Sequence, residues 1–127
     1  MKNEVYIIAE IASAHEGDVD LAWKLYKMAD STGASAVKLQ IFQRDFLLSK
    51  YHNMYDEFGE IEIKKKDWMS LLDKVGRLAS DVIVEVFDES SLELSEASGV
   101  VKAYKIPTSN IGDKDFMRLV AETNKTI

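Results

Sequence analysis

The chain has 127 residues, of which 46% are hydrophobic and 30% are charged, a composition typical of one globular domain or of part of a larger one. Its formal net charge of −6 argues against a general nucleic-acid binder and against binding to anionic membranes. There is no cysteine, which excludes disulfides and thiolate metal sites. The sequence has neither an apolar run of roughly 20 residues nor a signal-peptide pattern, so we expect a cytoplasmic protein without a membrane span.

Strands and helices are predicted to alternate along the chain. Apolar runs predict buried strands, and amphipathic segments predict helices between them. The strands are placed at residues 5–11, 36–42, 82–87 and 104–106, with the start of a fifth at 126–127; the helices are placed at 18–31, 64–79 and 88–97 and after Asp113. This alternation predicts an α/β fold with a parallel sheet. The connection at about 43–63 is longer than usual and is either a lid or binding loop or a flexible insertion.

The stretch from Tyr6 to Asp18 organises the rest of the chain. Its apolar strand accepts one carboxylate, Glu10, and then breaks into a polar loop that contains His15 and Gly17. Parallel βα units place their chemistry where the strand ends and the loop begins. A carboxylate inside a buried strand is costly without partners, which makes Glu10 the first candidate functional residue.

Further polar residues lie inside or just after the other strands. Lys38 and Gln40 are two residues apart and therefore share one face of their strand, while Glu85 lies in the third strand and Lys105 in the fourth. Because the carboxyl ends of parallel strands lie at one edge of a sheet, the ionisable residues inside or just after the strands are expected to converge there. They are Glu10, His15, Glu16, Lys38, Glu85, Asp88 and Lys105. Two lysines there would suit an anionic ligand such as a phosphate or a carboxylate, and Thr108 would offer it a hydroxyl.

A second interpretation of the same residues is structural. Glu10 with Lys38, and Glu85 with Lys105, would then form buried ion pairs inside a barrel. The sequence contains neither a GxxxxGK[ST] nor a GxGxxG nucleotide loop, and the segment from His15 to Gly17 is too short to be a metal motif. The residues alone leave both interpretations open.

Three segments resemble a known family in the same order and with similar spacing. They are AEIASAHEGD at the first strand, GASAVKLQIF at the second, and FDESSLELSEASGVVKAYKIPTSN from the end of the third. Together they resemble the N-terminal half of the sialic acid synthase family, the phosphoenolpyruvate-dependent synthases of N-acetylneuraminate and related nonulosonic acids. The resemblance extends from about Tyr6 to the end of the chain.

The resemblance implies a TIM-type (β/α)8 barrel, of which residues 1–127 would be the N-terminal half with about four βα units. It implies a transferase that condenses phosphoenolpyruvate with an N-acetylmannosamine-type amino sugar and releases phosphate. It also implies a divalent metal, manganese or magnesium, whose ligands would lie outside this chain.

The resemblance also implies roles for single residues. Glu10 matches a glutamate near the reacting groups and is the catalytic candidate. Lys38 and Gln40 match the KxQ of the second strand, whose lysine helps to hold phosphoenolpyruvate, and Lys105 matches another phosphoenolpyruvate contact. Thr108 stands where the family has a phosphate-binding serine. The substrate-binding candidates are therefore Lys38, Gln40, Glu85, Lys105, Thr108 and Asn110, and no metal ligand is assigned.

Four positions depart from the family pattern, all of them in the implied site. Ala14 replaces an asparagine, Pro107 a glycine, and Asn110 a glutamate that contacts the sugar. Glu85 replaces a threonine that helps to bind phosphate, and a carboxylate there would repel phosphate unless it is protonated or paired. These changes leave the exact donor and acceptor open, as well as whether activity is retained.

The implied barrel needs about 250 residues, whereas this chain ends near the start of the fifth predicted strand. We therefore expect a fragment or half-barrel with little or no turnover by itself. Two open sheet edges would invite pairing with another chain, so a homo-oligomer is expected, with two halves closing one barrel as one form of it.

Two other functions remain candidates. The first is a different barrel activity, an aldolase or isomerase that acts on an acidic or phosphorylated sugar, and Glu85 favours it. The second is a non-catalytic binding domain or a degenerate partner subunit.

Overall fold

A computed structural model of the protein describes residues 5–127. Parallel strands and helices alternate along this part of the chain, as the sequence predicted. The strands are β1 (Ile8–Ala12), β2 (Ala36–Ile41), β3 (Asp81–Val86) and β4 (Val101–Lys105). The helices are α1 (Val19–Ser31), α2 (Arg44–Leu47), α3 (Tyr55–Ile61), α4 (Lys65–Val75), α5 (Glu89–Ser98) and α6 (Lys114–Glu122), with a 3-10 turn at Thr108–Asn110.

The four strands form one parallel sheet in the order β1-β2-β3-β4. Side chains of successive residues point to opposite faces, and the two faces differ in chemistry. One face packs against the helices and is apolar; its core residues include Val37, Leu39, Ile41, Val82, Val84 and Val86. The opposite face carries charged and polar side chains, and it is this face that positions the candidate site.

The structure corrects the expected bounds of two strands. β1 begins at Ile8 rather than at residue 5, and the side chains of Tyr6, Ile7 and Ile8 are about half exposed. The apolar run predicted a strand buried on both faces, but among residues 5–127 β1 lies at the edge of the sheet and pairs only with β2. β4 begins at Val101, three residues before the expected start. Val101 and Tyr104 both belong to the core although they are three residues apart, because the register between β3 and β4 shifts after Val82.

Aspartates begin three of the helices. The side chains of Asp18, Asp88 and Asp113 accept hydrogen bonds from backbone N–H groups in the first turns of α1, α5 and α6. Such caps satisfy donors that have no partner within the helix and stabilise it by about 1 kcal/mol each. The expected helix starts at Asp18 and Asp113 are therefore confirmed. The helix expected at residues 64–79 ends earlier, at Val75.

The connection at 43–63 is ordered and contains two short helices, α2 and α3. The guanidinium of Arg44 lies over the ring of Tyr55 at 4.0 Å, and the Tyr55 hydroxyl donates to Asp45. Arg44 N–H donates to Glu62 at 3.3 Å. The ring of Phe58 packs against that of Phe42, just after β2, with centroids 5.6 Å apart. The segment therefore packs against the carboxyl end of the sheet, and its role as a lid or binding loop stays a prediction.

The expected start of a fifth strand is also present. Thr126 pairs in parallel with Ala103, and the N–H of Tyr104 donates to the carbonyl oxygen of Thr126 at 2.8 Å. The outer edge of β4 therefore accepts a further parallel strand.

Gly17 allows the loop after β1 to pack against α3. Its φ is +80°, and a Cβ at this position would lie 2.3 Å from the carbonyl oxygen of Glu60. Gly33 has nearly the same φ, +79°, but nothing lies within 4 Å of the place where its Cβ would be. Substitutions at the two glycines therefore separate the cost of a Cβ in the left-handed conformation from the cost of a contact between that Cβ and the backbone of α3.

We expect Gly33→Ala to lower the free energy of unfolding by about 1 kcal/mol, because the left-handed conformation is unfavourable for residues with a Cβ. Gly17→Ala should lower it by about 2–4 kcal/mol, because the backbone of α3 must also move. Urea denaturation followed by circular dichroism measures both values. Equal losses in the two variants would show that the contact between Gly17 and α3 contributes nothing.

Candidate functional site

Four charged side chains meet on the face of the sheet that the helices leave uncovered. Lys38 Nζ lies 3.2 Å from Glu10 Oε1 and 3.6 Å from Glu85 Oε2, and Lys105 Nζ contacts Glu85 Oε1. Both ion pairs of the structural interpretation are thus present, and Lys38 joins them into one cluster. We call these four residues the charge cluster.

The strand register explains why these residues meet. Glu10 is the partner of Lys38 across β1 and β2, and Glu85 is the partner of Lys105 across β3 and β4. Gln40 is the partner of Glu85 across β2 and β3. The predicted convergence is therefore observed for Glu10, Lys38, Glu85 and Lys105, because neighbouring strands place them side by side on one face. It was wrong for His15, which packs against Trp68, and for Asp88, which caps α5, while Glu16 is exposed in the loop after β1.

The four residues of the charge cluster differ in their exposure to solvent. The Glu85 side chain is 4% exposed and that of Lys38 14%, whereas Glu10 and Lys105 are 47% and 42% exposed. The expectation that Glu10 lies in a buried strand was therefore wrong: it belongs to an edge strand and half of it faces solvent. Glu85 is the buried carboxylate of the site.

Glu85 is held in its ionised form. Burial raises the pKa of its carboxyl group, but hydrogen bonds from Gln40 and Lys105 and the positive charges of both lysines outweigh burial and bring the pKa below its ordinary value. Glu85 is thus paired with two lysines, and this pairing limits the repulsion between its carboxylate and a phosphate. The two lysines, however, are already neutralised in part by this carboxylate, and Glu10 supplies a second negative charge beside Lys38.

The amide of Gln40 is engaged on both sides. Its Nε2 donates to Glu85 Oε2 at 3.0 Å, and its Oε1 accepts from the hydroxyl of Ser13 at 3.3 Å. The family resemblance implies that Gln40 binds substrate, but in this structure the Gln40 amide orients the carboxylate of Glu85. Ser13 was not foreseen, because a loop serine carries no distinguishing pattern in the sequence.

The backbone beside Ser13 is unusual. The register between β1 and β2 shifts between Glu10 and Ala12, and Ala12 has a φ of 46°. Residues with a Cβ rarely adopt such values, and they are found more often at functional sites. This bulge lies in the last residues of β1, between Glu10 and the loop whose Ser13 donates to Gln40.

The charge cluster borders a cavity of about 670 Å³. Ile8, Ile83 and Ala103 supply apolar surface to it, and Glu10, Lys38 and Lys105 supply charged groups. Asp81 and Lys102 line it as well, so a ligand in this cavity would meet an apolar surface bordered by three lysines and two carboxylates. The size is ordinary for a small-molecule site.

Two predicted site residues lie elsewhere. Thr108 is exposed in the 3-10 turn after β4, and the side-chain amide of Asn110 donates to the carbonyl oxygen of Phe87 at 3.0 Å. Within residues 5–127, neither of the two lines the cavity beside the charge cluster. Their proposed contacts with substrate therefore stay predictions.

His15 has a structural environment. It is 1% exposed, its Nδ1 accepts from the N–H of Gly17 at 3.1 Å, and its ring meets the ring of Trp68 edge-on with centroids 5.7 Å apart. In the described part of the chain its Nε2 is buried without a hydrogen-bond partner. Burial lowers the pKa of His15, so the neutral ring is favoured, and an Nδ1 that accepts places the proton on Nε2.

Across residues 5–127, no three histidine, cysteine, aspartate or glutamate side chains come together in a way that could hold a metal ion. The described helices include none with the length and apolar character that crossing a bilayer requires. The carboxylates of the charge cluster are themselves paired with lysines, so the residues present do not fit a metal site.

Comparison with known proteins identifies the family. A model of the NeuB family matches residues 25–127, which is most of the chain. The chain belongs to the NeuB family. It is similar to N,N'-diacetyllegionaminic acid synthase of Legionella pneumophila, with 29% identity over 89% of this chain and 35% of that protein. It is also similar to N-acetylneuraminate-9-phosphate synthase of Drosophila melanogaster, with 31% identity over 89% of this chain and 32% of that protein.

A solved structure supports the fold of this NeuB-family chain. The N-acetylneuraminic acid synthetase of Leptospira borgpetersenii, crystallised with citrate, matches with a TM-score of 0.87 and 24% identity over 97% of this chain and 43% of that one. The predicted fold class, the first βα units of a TIM-type barrel, is confirmed over this partial length. The chain spans about a third of the length of the curated relatives that it matches.

We expect the stability of the protein to fall as the pH drops below about 6.5, the ordinary pKa of histidine. The unfolded chain then binds a proton that buried His15 resists, and stability is lost progressively down to its lowered folded pKa. His15→Asn should reduce this loss. His52→Asn is the matched control, because His52 is exposed and its Nδ1 also accepts a backbone N–H two residues on. Urea unfolding between pH 5 and 8, a range chosen to span that pKa, measures both; an unchanged profile in His15→Asn would contradict the assignment.

Glu85→Gln should lower the free energy of unfolding at neutral pH by about 3 kcal/mol, because it leaves the lysines with one carboxylate fewer. The pKa of Glu85 is lowered in the folded state, so its contribution is complete above the ordinary value of 4.5 and is lost as the pH falls through the folded pKa. The variant should therefore lose less stability than the wild type on acidification. Glu93→Gln, an exposed carboxylate on α5, is the control and should behave as wild type.

Proposed function

We propose that residues 1–127 form the N-terminal half of a barrel that condenses phosphoenolpyruvate with an N-acetylated amino sugar to give a nonulosonic acid and phosphate. Membership of the NeuB family supports the class of reaction. The observation that carries the proposal for this chain is the charge cluster, in which two lysines from different strands border one cavity.

Each residue of the charge cluster has a place in this proposal. Lys38 and Lys105 are ammonium groups that can hold the carboxylate or phosphate of phosphoenolpyruvate. Glu10, beside Lys38 at 3.2 Å and half exposed, is the group that can position the reacting atoms or accept a proton. Gln40 supports Glu85 and thereby fixes where the lysines lie. Thr108 and Asn110 remain candidate contacts for phosphate and sugar.

The acceptor is proposed only as a class. The two relatives named above are synthases of different nonulosonic acids, so the family fixes no single sugar. A divalent metal, manganese or magnesium, belongs to the proposed reaction, but the described residues do not fit such a site. We therefore derive no step through it from this chain, which by itself is expected to show little or no turnover.

A second candidate function rests on Glu85. A barrel aldolase or isomerase that acts on an acidic or phosphorylated sugar would tolerate a carboxylate between the lysines. An aldolase that forms a Schiff base on Lys38 or Lys105 would be trapped covalently by borohydride with its carbonyl substrate. Mass spectrometry of the treated chain tests this, and phosphoenolpyruvate condensation predicts no adduct.

A non-catalytic domain would be favoured if the folded chain gained no stability from phosphoenolpyruvate, sugar or metal.

Self-association also stays a prediction. β1 and β4 lie at the edges of the described sheet, and edge strands offer unpaired backbone groups to another chain. Light scattering at micromolar concentration tests it, and a well-folded monomer would count against it. The expected cytoplasmic location stays a prediction as well.

We expect millimolar phosphoenolpyruvate to raise the thermal unfolding midpoint of the wild-type chain, because a ligand that binds the folded state stabilises it by mass action. Lys105→Met should abolish the rise and leave the fold intact, since Lys105 is 42% exposed. The double variant Lys38→Ala, Lys105→Ala should also show none. Lys24→Ala, an exposed lysine of α1, is the control; an equal rise in all four proteins would place the binding elsewhere.

A further inference from the structure

Glu85 occupies the place between the lysines that an anionic ligand would need. Its two carboxylate oxygens face different cations: Oε2 lies 3.6 Å from Lys38 Nζ, and Oε1 contacts Lys105 Nζ. With Glu10 on the other side of Lys38, the charge cluster holds two formal positive and two formal negative charges. The site is therefore neutral before any ligand arrives.

We propose that Glu85 is a built-in counter-anion that determines specificity: it lowers the affinity of the site for doubly charged phosphate and leaves it suited to a ligand group with a single negative charge, such as a carboxylate. The inference rests on the proposed function, because it concerns the same anion site. It assigns to Glu85 a role in selecting the ligand and not in contacting it.

Glu85 cannot easily be displaced by a ligand. Its side chain is 4% exposed, and Gln40 Nε2 donates to Oε2 at 3.0 Å while Ser13 fixes the other end of the Gln40 amide. To move the carboxylate, a ligand would have to break this hydrogen-bonded chain and leave the partly buried amide of Gln40 without its acceptor. The negative charge therefore stays in the site when a ligand enters.

The two lysines differ in what they can offer a ligand. Lys38 is 14% exposed and lies between two carboxylates, Glu10 and Glu85. Lys105 is 42% exposed and contacts only Glu85 within the charge cluster. An ammonium group has three donors, so Lys105 can keep its contact with Glu85 and still donate to a ligand. Lys105 is thus the more accessible cation of the charge cluster, and one such cation suits a ligand group with one negative charge.

The rest of the cavity also disfavours a dianion. Glu10 borders it with a half-exposed carboxylate, and Ile8, Ile83 and Ala103 give it apolar surface. Asp81 and Lys102 also line the cavity, and as one carboxylate and one lysine they leave the balance of formal charges at zero. A second negative charge on a ligand would therefore approach Glu10, Asp81 or Glu85 without a surplus of positive charge to offset the repulsion. A compact monoanion with an uncharged body meets no such conflict.

The test compares inorganic phosphate, doubly charged at pH 8, with pyruvate, a monoanion, at constant ionic strength. Calorimetric titration and thermal midpoints are recorded for the wild type, Glu85→Gln and the control Glu93→Gln. We expect Glu85→Gln to bind phosphate about tenfold or more tightly than the wild type, because one nearby negative charge is removed. Pyruvate affinity should change less, and the control should match the wild type. Adding Lys105→Met to Glu85→Gln should remove the gain.

Equal phosphate affinity in the wild type and Glu85→Gln would overturn the inference. If circular dichroism shows that Glu85→Gln does not fold, Glu85→Thr takes its place, because threonine leaves no amide to be satisfied. If neither variant folds, the affinities of the wild type for phosphate and pyruvate test the inference. Half-saturation by phosphate below about 1 mM would contradict a resident counter-anion, and tighter binding of pyruvate than of phosphate would support it.

Phosphoenolpyruvate separates this inference from the proposed function. If Glu85→Gln gains affinity for phosphate but neither protein binds phosphoenolpyruvate, the counter-anion stands and the proposed function fails at this site. If both proteins bind phosphoenolpyruvate equally well and Glu85→Gln gains no affinity for phosphate, the proposed function stands and the counter-anion is wrong.

Discussion

The burial of one carboxylate is the constraint on which the rest of the site depends. Glu85 lies in a central strand with almost no exposure, and an ionised group in that place needs partners. The chain supplies them from both neighbouring strands: Lys38 and Gln40 from β2 and Lys105 from β4. The position of each lysine follows from this requirement, and so does the electrical neutrality of the cavity that they border.

The loop after β1 and the connection at 43–63 hold the carboxyl end of the sheet together. Gly17 packs against the backbone of α3, and His15 fills the space beside Trp68 at the start of α4. Because the same loop carries Ser13 to the amide of Gln40, its packing is coupled to the orientation of Glu85. The fold around the site is thus built by segments that the sequence presents as irregular.

Membership of the NeuB family and the charge of this particular site give different information. The family indicates a class of reaction, whereas Glu85 decides which charge the cavity of this chain can accept. Under the counter-anion proposal, a single carboxylate in a central strand changes the preferred ligand without altering the sheet, because its burial is offset by Lys38, Gln40 and Lys105 on the neighbouring strands. Fold and specificity are determined here by different residues.

The sequence by itself determined the alternation of strands and helices, the caps at Asp18 and Asp113, and the convergence of Glu10, Lys38 and Lys105. These follow from local periodicity and from the rule that parallel strands end at one edge of the sheet. Only the tertiary structure decided that β1 lies at an edge of the described sheet, that the Gln40 amide donates to Glu85, and that His15 is buried against Trp68. Such features depend on strand order, register and long-range packing, which an apolar run or a single polar residue does not encode.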